Sequence, residues 1–346
     1  ILVALGAGIV LIALQLPIEK ISFLLISGSP EIESLASGYF YIRIFAAPAT
    51  ISLYAMSGWF LGMQNAKYPM IVAITINLLN VAFNLLFIYG FGMKSEGVAY
   101  GTLLAQYAGF FMSVFLLIKK YRHLFHLWNY TLMIKWAALK KFFLVNRDIF
   151  IRTLCLMVVF TYFTSKSAST NDITLAVNTM LLQFFFIFSY LIDGFAYAAE
   201  ALVGKFIGEK NKEGLKSSIK LLFVWGLIIS IPFSIVYLLA GNFILMLLTN
   251  NQELIKYAGS YILWVAAIPI VSFVSFLWDG IYIGATASRA MRNTMLVATI
   301  VVFFPTVLIF APILGNHSLW LGMILFLAGR GISQTIIAPK AIFPKT

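Results

Sequence analysis

Long apolar segments constrain this chain more than any other feature of its sequence. Ten stretches reach the length of about 20 mostly apolar residues that a helix needs to cross a bilayer. They cover residues 1–27, 36–61, 69–92, 97–118, 149–166, 171–203, 217–249, 254–284, 290–314 and 317–338. Only 10% of the 346 residues are charged, against 62% that are hydrophobic, which is too few to cover a water-facing surface. We therefore predict an all-α, polytopic membrane protein and exclude a cytosolic enzyme and a nucleic-acid-binding domain.

Positive charge lies mostly at alternate ends of these segments. We place 19 of the 24 Lys and Arg residues, Arg330 among them, at one set of ends and three at the other, while Lys20 and Arg43 lie within segments. Cytoplasmic loops carry an excess of Lys and Arg. We therefore expect the first segment to run outward and the C-terminus to be cytoplasmic, and we attribute the net charge of +12 to membrane loops.

The longest stretch between segments is 119–148, where Trp128 and Trp136 are mixed with basic residues. This pattern is typical of an amphipathic element lying on a membrane face. We therefore divide the chain into an N-terminal lobe of four helices (1–118), a cytoplasmic linker (119–148), a C-terminal lobe of six helices (149–338) and a cytoplasmic tail (339–346).

Two parts of the chain repeat each other at an offset of 221–222 residues. Pro48 precedes a pair of glycines that begins at Gly58, Pro269 precedes a pair that begins at Gly280, and a cation follows each pair. Both copies run in the same direction through the membrane, as parallel repeats do around an axis along the membrane normal. Because the second copy belongs to a six-helix half, we expect two further helices before Ile1 and a total of 6 + 6.

Four motifs resemble the multidrug and toxic compound extrusion (MATE) family, in its DinF-like branch. They are GWFLGMQNAKYP (58–69), GVAYGT (97–102), DGFAYAAEALVG (193–204) and WDGIYIGAT (278–286). The resemblance implies a two-lobed helical bundle that exports organic, cationic or amphipathic, compounds by antiport with H⁺ or Na⁺ through rocking of its lobes. It implies a monomer in the inner (plasma) membrane of a bacterium, with no cofactor and no catalytic or metal site. An important carboxylate of many prokaryotic members lies on the first helix, which we expect to precede this chain.

Charged residues inside apolar segments mark function, because each costs roughly 2.5–3.5 kcal/mol on insertion scales. Asp193, Asp279 and Arg152 all fall in the predicted cytoplasmic half, and we predict that Arg152 neutralises one or both carboxylates. Such a network would either open and close a cytoplasmic gate or form a static ion pair within the lobe. Other branches of the family have a Glu near position 152, so the resemblance argues against a sodium site there. We expect Glu200, five residues before Lys205, to be a surface carboxylate.

A second polar group lies in the N-terminal lobe. Asn77, Asn80 and Asn84 are spaced so that they share one helical stripe, and Thr102 on the next segment can face them. The resemblance implies that Asn80, Asn84 and Thr102 match a polar ion site, with Asn84 in place of an Asp. An amide can coordinate a cation but cannot take up a proton at pH 7. We predict a substrate or ion cavity here, and the alternative is interhelical hydrogen bonding.

Pro48 and Pro269 occupy corresponding positions of the repeat. A proline removes a helical hydrogen bond and permits bending. We predict a pair of hinges, with tolerated kinks as the alternative.

The alternative function is a flippase for a lipid-linked substrate on a related two-lobed scaffold. A flippase of this kind needs a strongly cationic cavity, and Lys20 and Arg43 are the first-lobe candidates. The segments contain no histidine–carboxylate cluster and the chain has no Walker motif, so we predict that the protein is not an enzyme.

Overall fold

The computed structural model describes residues 1–25, 30–127 and 136–343, and every regular element in them is helical. The chain divides into an N-terminal unit, residues 1–129, and a C-terminal unit, residues 130–346. The N-terminal unit contains α1 Leu2–Ala13, α2 Gln15–Leu25, α3 Pro30–Arg43, α4 Ala47–Gly62, α5 Lys67–Leu85 and α6 Ser95–Tyr121. Within it, α4, α5 and α6 pack against one another, and α1 packs against α4.

The C-terminal unit is built around one central helix. Its elements are α7 Trp136–Ala168, α8 Asp172–Gly208, α9 Lys212–Leu248, α10 Gln252–Gly259, α11 Ile262–Gly284, α12 Ser288–Val297, α13 Phe304–Leu314 and α14 His317–Ala341. A π-helical turn, Ala298–Phe303, joins α12 to α13. Helix α11 packs against α8, α9 and α14, and most of its buried side chains are apolar, as in a helix enclosed within a bundle.

Asparagine side chains start three consecutive helices of this unit. The Oδ1 atoms of Asn171, Asn211 and Asn251 accept hydrogen bonds from backbone N–H groups in the first turns of α8, α9 and α10. These bonds satisfy donors that have no partner within the helix. The three turns therefore end one helix and begin the next within a few residues.

The structure contains fewer clear membrane spans than the ten predicted. Eight helices of the described residues are long and apolar enough to cross a membrane, and nine if α1 and the first part of α2, bent by 62°, form one span. The predicted segment 149–166 is outside this set. It lies within α7, whose first part carries Lys140, Arg147 and Asp148 before the apolar part begins.

The predicted linker is not one separate element. Helix α6 runs into it as far as Tyr121, a 3₁₀ turn covers Arg122–Leu127, and α7 begins at Trp136 and continues without a break into the next apolar segment. Residues 128–135, including Trp128, lie outside the described part. The predicted tail is also partly helical, since α14 ends at Ala341.

The two prolines predicted as hinges have different surroundings. Pro48 is the second residue of α4, directly after the 3₁₀ turn Ile44–Ala46, where a missing N–H costs little. Pro269 lies inside the continuous helix α11. A common role as hinges stays a prediction.

Candidate functional site

The charged site of the C-terminal unit is centred on Asp279, which is 5% exposed on α11. Its Oδ2 atom accepts hydrogen bonds from Nη2 of Arg152 and, at 2.5 Å, from Nη2 of Arg330. Its Oδ1 atom accepts a bond of 2.7 Å from Nε2 of Gln334. Buried charge is tolerated when it is paired and hydrogen-bonded. The carboxylate of Asp279 is paired with two arginines and accepts three hydrogen bonds.

The partners of Asp279 come from helices on both sides of α11. Arg330 and Gln334 are one helical turn apart on α14, so they share a face, and both are almost completely buried. Arg152 lies on α7, and its side chain is 18% exposed. The two arginines therefore differ in freedom: both border an adjoining space, but the side chain of Arg330 is 3% exposed and that of Arg152 is 18% exposed.

That space is a cavity of about 360 Å³. The three charged groups Arg152, Asp279 and Arg330 line it together with Asp193 and Glu200 of α8. The Nε atoms of both arginines are buried without a hydrogen-bond partner. The remaining walls include four phenylalanines, Phe160, Phe185, Phe186 and Phe276. The cavity therefore combines acidic side chains with unsatisfied arginine donors and an aromatic lining.

Close packing of α8 and α11 forms one side of this cavity. A Cβ atom at Gly280 would fall well inside van der Waals distance of the carbonyl oxygen of Ala196, and one at Gly284 would lie 2.5 Å from the carbonyl oxygen of Glu200. Only glycine allows two helix backbones to approach this closely. The DGFAYAAEALVG and WDGIYIGAT motifs thus face each other, which fixes Asp193 beside Asp279.

The structure brings together the three residues of the predicted charged network and adds residues that the sequence analysis did not assign to it. The predicted ion pair of Arg152 with an intramembrane carboxylate is present, and the carboxylate is Asp279; Asp193 shares the cavity without an ion pair among the described residues. Arg330, counted among the cations of the cytoplasmic ends, is buried against Asp279 and belongs to the charged site, which the sequence analysis did not predict. The assignment of Glu200 to the surface was also wrong, since it is half-buried and lines the cavity.

The N-terminal unit contains a chain of hydrogen bonds between α5 and α6. The hydroxyl group of Thr102 donates to the carbonyl oxygen of Val98 at 2.8 Å, so it accepts from Nδ2 of Asn80, which lies 2.9 Å away. Oδ1 of Asn80 accepts in turn from Nδ2 of Asn84 at 3.2 Å. Because the Thr102 hydroxyl donates to Val98, it must accept from Asn80, and the oxygen of Asn80 is then free to accept from Asn84.

The last acceptor in this series of hydrogen bonds has no partner. Oδ1 of Asn84 is buried and has no hydrogen-bond partner. A Cβ atom at position 101 would collide with it, so Gly101 is what gives this oxygen room against α6. A buried acceptor without a partner costs about 1–3 kcal/mol.

Asn77 does not join this chain of hydrogen bonds. It is exposed, and with Thr50, Ser57 and Gln106 it lines a cavity of about 210 Å³ between α4, α5 and α6. The three amides predicted to share a stripe thus divide between two places. Among the described residues, no group of three or more His, Cys, Asp and Glu could hold a metal ion.

Comparison with known proteins gives these sites a context. The model of the MatE family matches residues 1–86 and 149–311. DNA damage-inducible protein F of Escherichia coli (strain K12) is 34% identical over 344 residues, which is 97% of this chain and 73% of that protein. The chloroplastic protein DETOXIFICATION 45 of Arabidopsis thaliana is 26% identical over 96% of this chain, which spans 59% of the plant protein.

Solved structures show the same fold. The structure superposes on that of a variant of the MATE transporter VcmN of Vibrio cholerae with a TM-score of 0.88. The superposition covers 99% of this chain and 77% of the other, at 14% sequence identity. The two chains therefore share an architecture that extends over nearly all of this one.

Proposed function

Because the chain belongs to the MatE family, whose members are transporters rather than enzymes, we propose that it exports small organic compounds by antiport with H⁺ or Na⁺. Family and fold support transport as such; the substrate class and the coupling ion belong to the proposal. We further propose that the protein works as a monomer in a bacterial inner membrane with its C-terminus in the cytoplasm. The bias of Lys and Arg toward one set of helix ends supports that orientation.

The observation that carries this proposal is the sharing of Asp279 by two arginines. Removing the only partner of a buried charge costs about 3–5 kcal/mol. Here Arg330 and Gln334 hold Asp279 whether or not Arg152 does. Arg152 can therefore leave the carboxylate without stranding it.

Asp193 is a second carboxylate in the same cavity, and it has no ion pair among the described residues. We propose that Arg152 exchanges between Asp279 and Asp193 as the cytoplasmic half of the C-terminal unit closes and opens. The exchange keeps every charge near a counter-charge, which a gate inside a membrane requires. A static pair would need neither the second arginine nor the second carboxylate.

The hydrogen-bonded amides of the N-terminal unit are the proposed site of the coupling cation. The free Oδ1 of Asn84 offers a neutral oxygen ligand, and the bonds through Asn80 to Thr102 hold that ligand in place. An amide oxygen can accept a cation but carries no proton of its own to exchange. We therefore propose that this unit contributes cation coordination rather than proton transfer through Asn84.

The flippase alternative receives no support from the charged cavity. Its two arginines both bind Asp279, and two further carboxylates line the same space. A pyrophosphate group would meet acidic side chains there instead of free cations.

Replacing Arg152 with methionine tests the exchange. Methionine keeps most of the side-chain volume and removes the moving charge, while Arg330 and Gln334 still hold Asp279. We expect the melting temperature to stay nearly unchanged. Efflux of a fluorescent organic cation from reconstituted vesicles should fall about tenfold or more, which corresponds to a barrier raised by about 1.4 kcal/mol.

Arg147→Met is the matched control for this variant. Arg147 also lies on α7 and is the second of two arginines on a buried carboxylate, Asp148, whose other partner is Arg292. Its side chain is 52% exposed and does not line the charged cavity, so Arg147→Met should transport normally. Normal efflux by a folded Arg152→Met variant would show that Arg152 is not part of the gate.

A further inference from the structure

A second, larger cavity lies at the end of the C-terminal unit where most of its Lys and Arg residues are found. Its volume is about 670 Å³. Lys140, Leu144 and Asp148 of α7 form one wall, Arg289 at the start of α12 forms another, and Ile337 of α14 closes a third. It shares no lining residue with the cavity around Asp279.

The mouth of this cavity carries two uncompensated positive charges. Lys140 and Arg289 are exposed, and neither takes part in an ion pair within the described ranges 1–25, 30–127 and 136–343. The one acidic side chain in the walls, Asp148, is 4% exposed and already bound by Arg292 at 2.6 Å and Arg147 at 3.2 Å. An anion entering the cavity would therefore meet free cations and a carboxylate that is already neutralised.

The surroundings of the cations match the boundary between lipid and water. Trp136, Lys140 and Leu144 follow one another at intervals of four residues, so they lie on one stripe of α7. Trp136 is 75% exposed, and tryptophan concentrates at the headgroup level of membranes. Leu144 and Ile337 make the inner walls apolar. A soluble anion needs no such walls, whereas a lipid presents a charged headgroup and an apolar body together.

We propose that this cavity binds the headgroup of an anionic phospholipid. Lys140 and Arg289 contact the phosphate group, and the glycerol and upper acyl region lie against the apolar walls beside Trp136. Arginine and lysine both bind phosphate through charge-assisted hydrogen bonds, and basic pockets between transmembrane helices are suited to anionic headgroups.

The test measures lipid retained by the purified protein after extraction from membranes containing equal parts of phosphatidylglycerol and phosphatidylcholine. Native mass spectrometry should show preferential retention of phosphatidylglycerol. Each cation near a lipid surface contributes roughly fivefold in affinity, so Lys140→Gln/Arg289→Gln should weaken phosphatidylglycerol binding about 30-fold. This double variant should fold, because neither side chain forms an ion pair among the described residues.

Lys216→Gln/Lys220→Gln is the matched control, since it removes two exposed lysines from the same end of the unit but not from the cavity. This variant should retain the lipid as the parent does. Equal losses in the two double variants would overturn the proposal in favour of general charge attraction. Displacement of the lipid by inorganic phosphate at equal concentration would also overturn it, because the apolar walls would then contribute nothing.

Discussion

Replacing Asp279 with asparagine should cost the C-terminal unit about 3–5 kcal/mol of unfolding free energy. Asparagine keeps the shape of the side chain and can still accept the hydrogen bond of Gln334. It removes the charge that neutralises Arg152 and Arg330, of which Arg330 is only 2% exposed. Thermal unfolding in detergent measures the loss, and transport should disappear with it.

Two further variants separate this effect from ordinary loss of a surface charge. Glu209 is 51% exposed and forms a 4.0 Å pair with Lys205, so Glu209→Gln should cost less than about 0.5 kcal/mol. Asp279→Asn/Arg330→Met should be more stable than Asp279→Asn, because it removes one of the two stranded charges. If Asp279→Asn melted at the same temperature as Glu209→Gln, Asp279 would not be holding buried arginines.

Replacing Gly280 with alanine should force α8 and α11 apart. The added methyl group would overlap the backbone of α8 at Ala196, which cannot move aside as a side chain can. Overpacking of this kind costs about 1–3 kcal/mol, occasionally more. Because Asp193 and Asp279 lie on these two helices next to the contact, we expect efflux to fall even in protein that still folds.

Gly194→Ala provides the control on the same helix pair. Gly194 lies on α8, and a Cβ atom there would meet nothing within 4 Å. Alanine is favoured over glycine within a helix by about 1 kcal/mol, so this variant should be at least as stable as the parent. Equal melting temperatures for Gly280→Ala and Gly194→Ala would contradict the close approach of α8 to α11.

Helical periodicity explains why some contacts could be predicted from the sequence. Asn80 and Asn84 are one turn apart, and Thr102 lies on the next helix, which a short connection joins to theirs, so spacing alone brings them to similar depth. The structure then adds the direction of the bonds and the unused acceptor on Asn84. Their role in cation binding stays a prediction.

Arg330 shows what spacing alone does not reveal. It lies between two glycines inside an apolar segment, which was the available signal that it is buried. Its partner Asp279 is 51 residues earlier, and a contact across that distance depends on how α11 and α14 pack. Because Arg330 was counted among the cations of the helix ends, the sequence analysis did not consider it as a partner of Asp279.

The boundary at α7 was missed for a different reason. The change from a basic, aromatic stretch to an apolar one near residue 149 looks like the border between two elements. The backbone continues through it as one helix, because a helix can change its environment along its length without changing its hydrogen bonds. Composition located the change of environment but not the end of the element.

Gradient-driven efflux from reconstituted vesicles is the most direct test of the proposed antiport. The measurement follows a fluorescent organic cation under an imposed proton gradient, an imposed sodium gradient, or neither. We expect one of the gradients to accelerate efflux, and Asn84→Leu to abolish that acceleration while leaving the protein folded. Efflux that is the same with and without gradients, or coupling that survives in Asn84→Leu, would contradict cation antiport through the amides of the N-terminal unit.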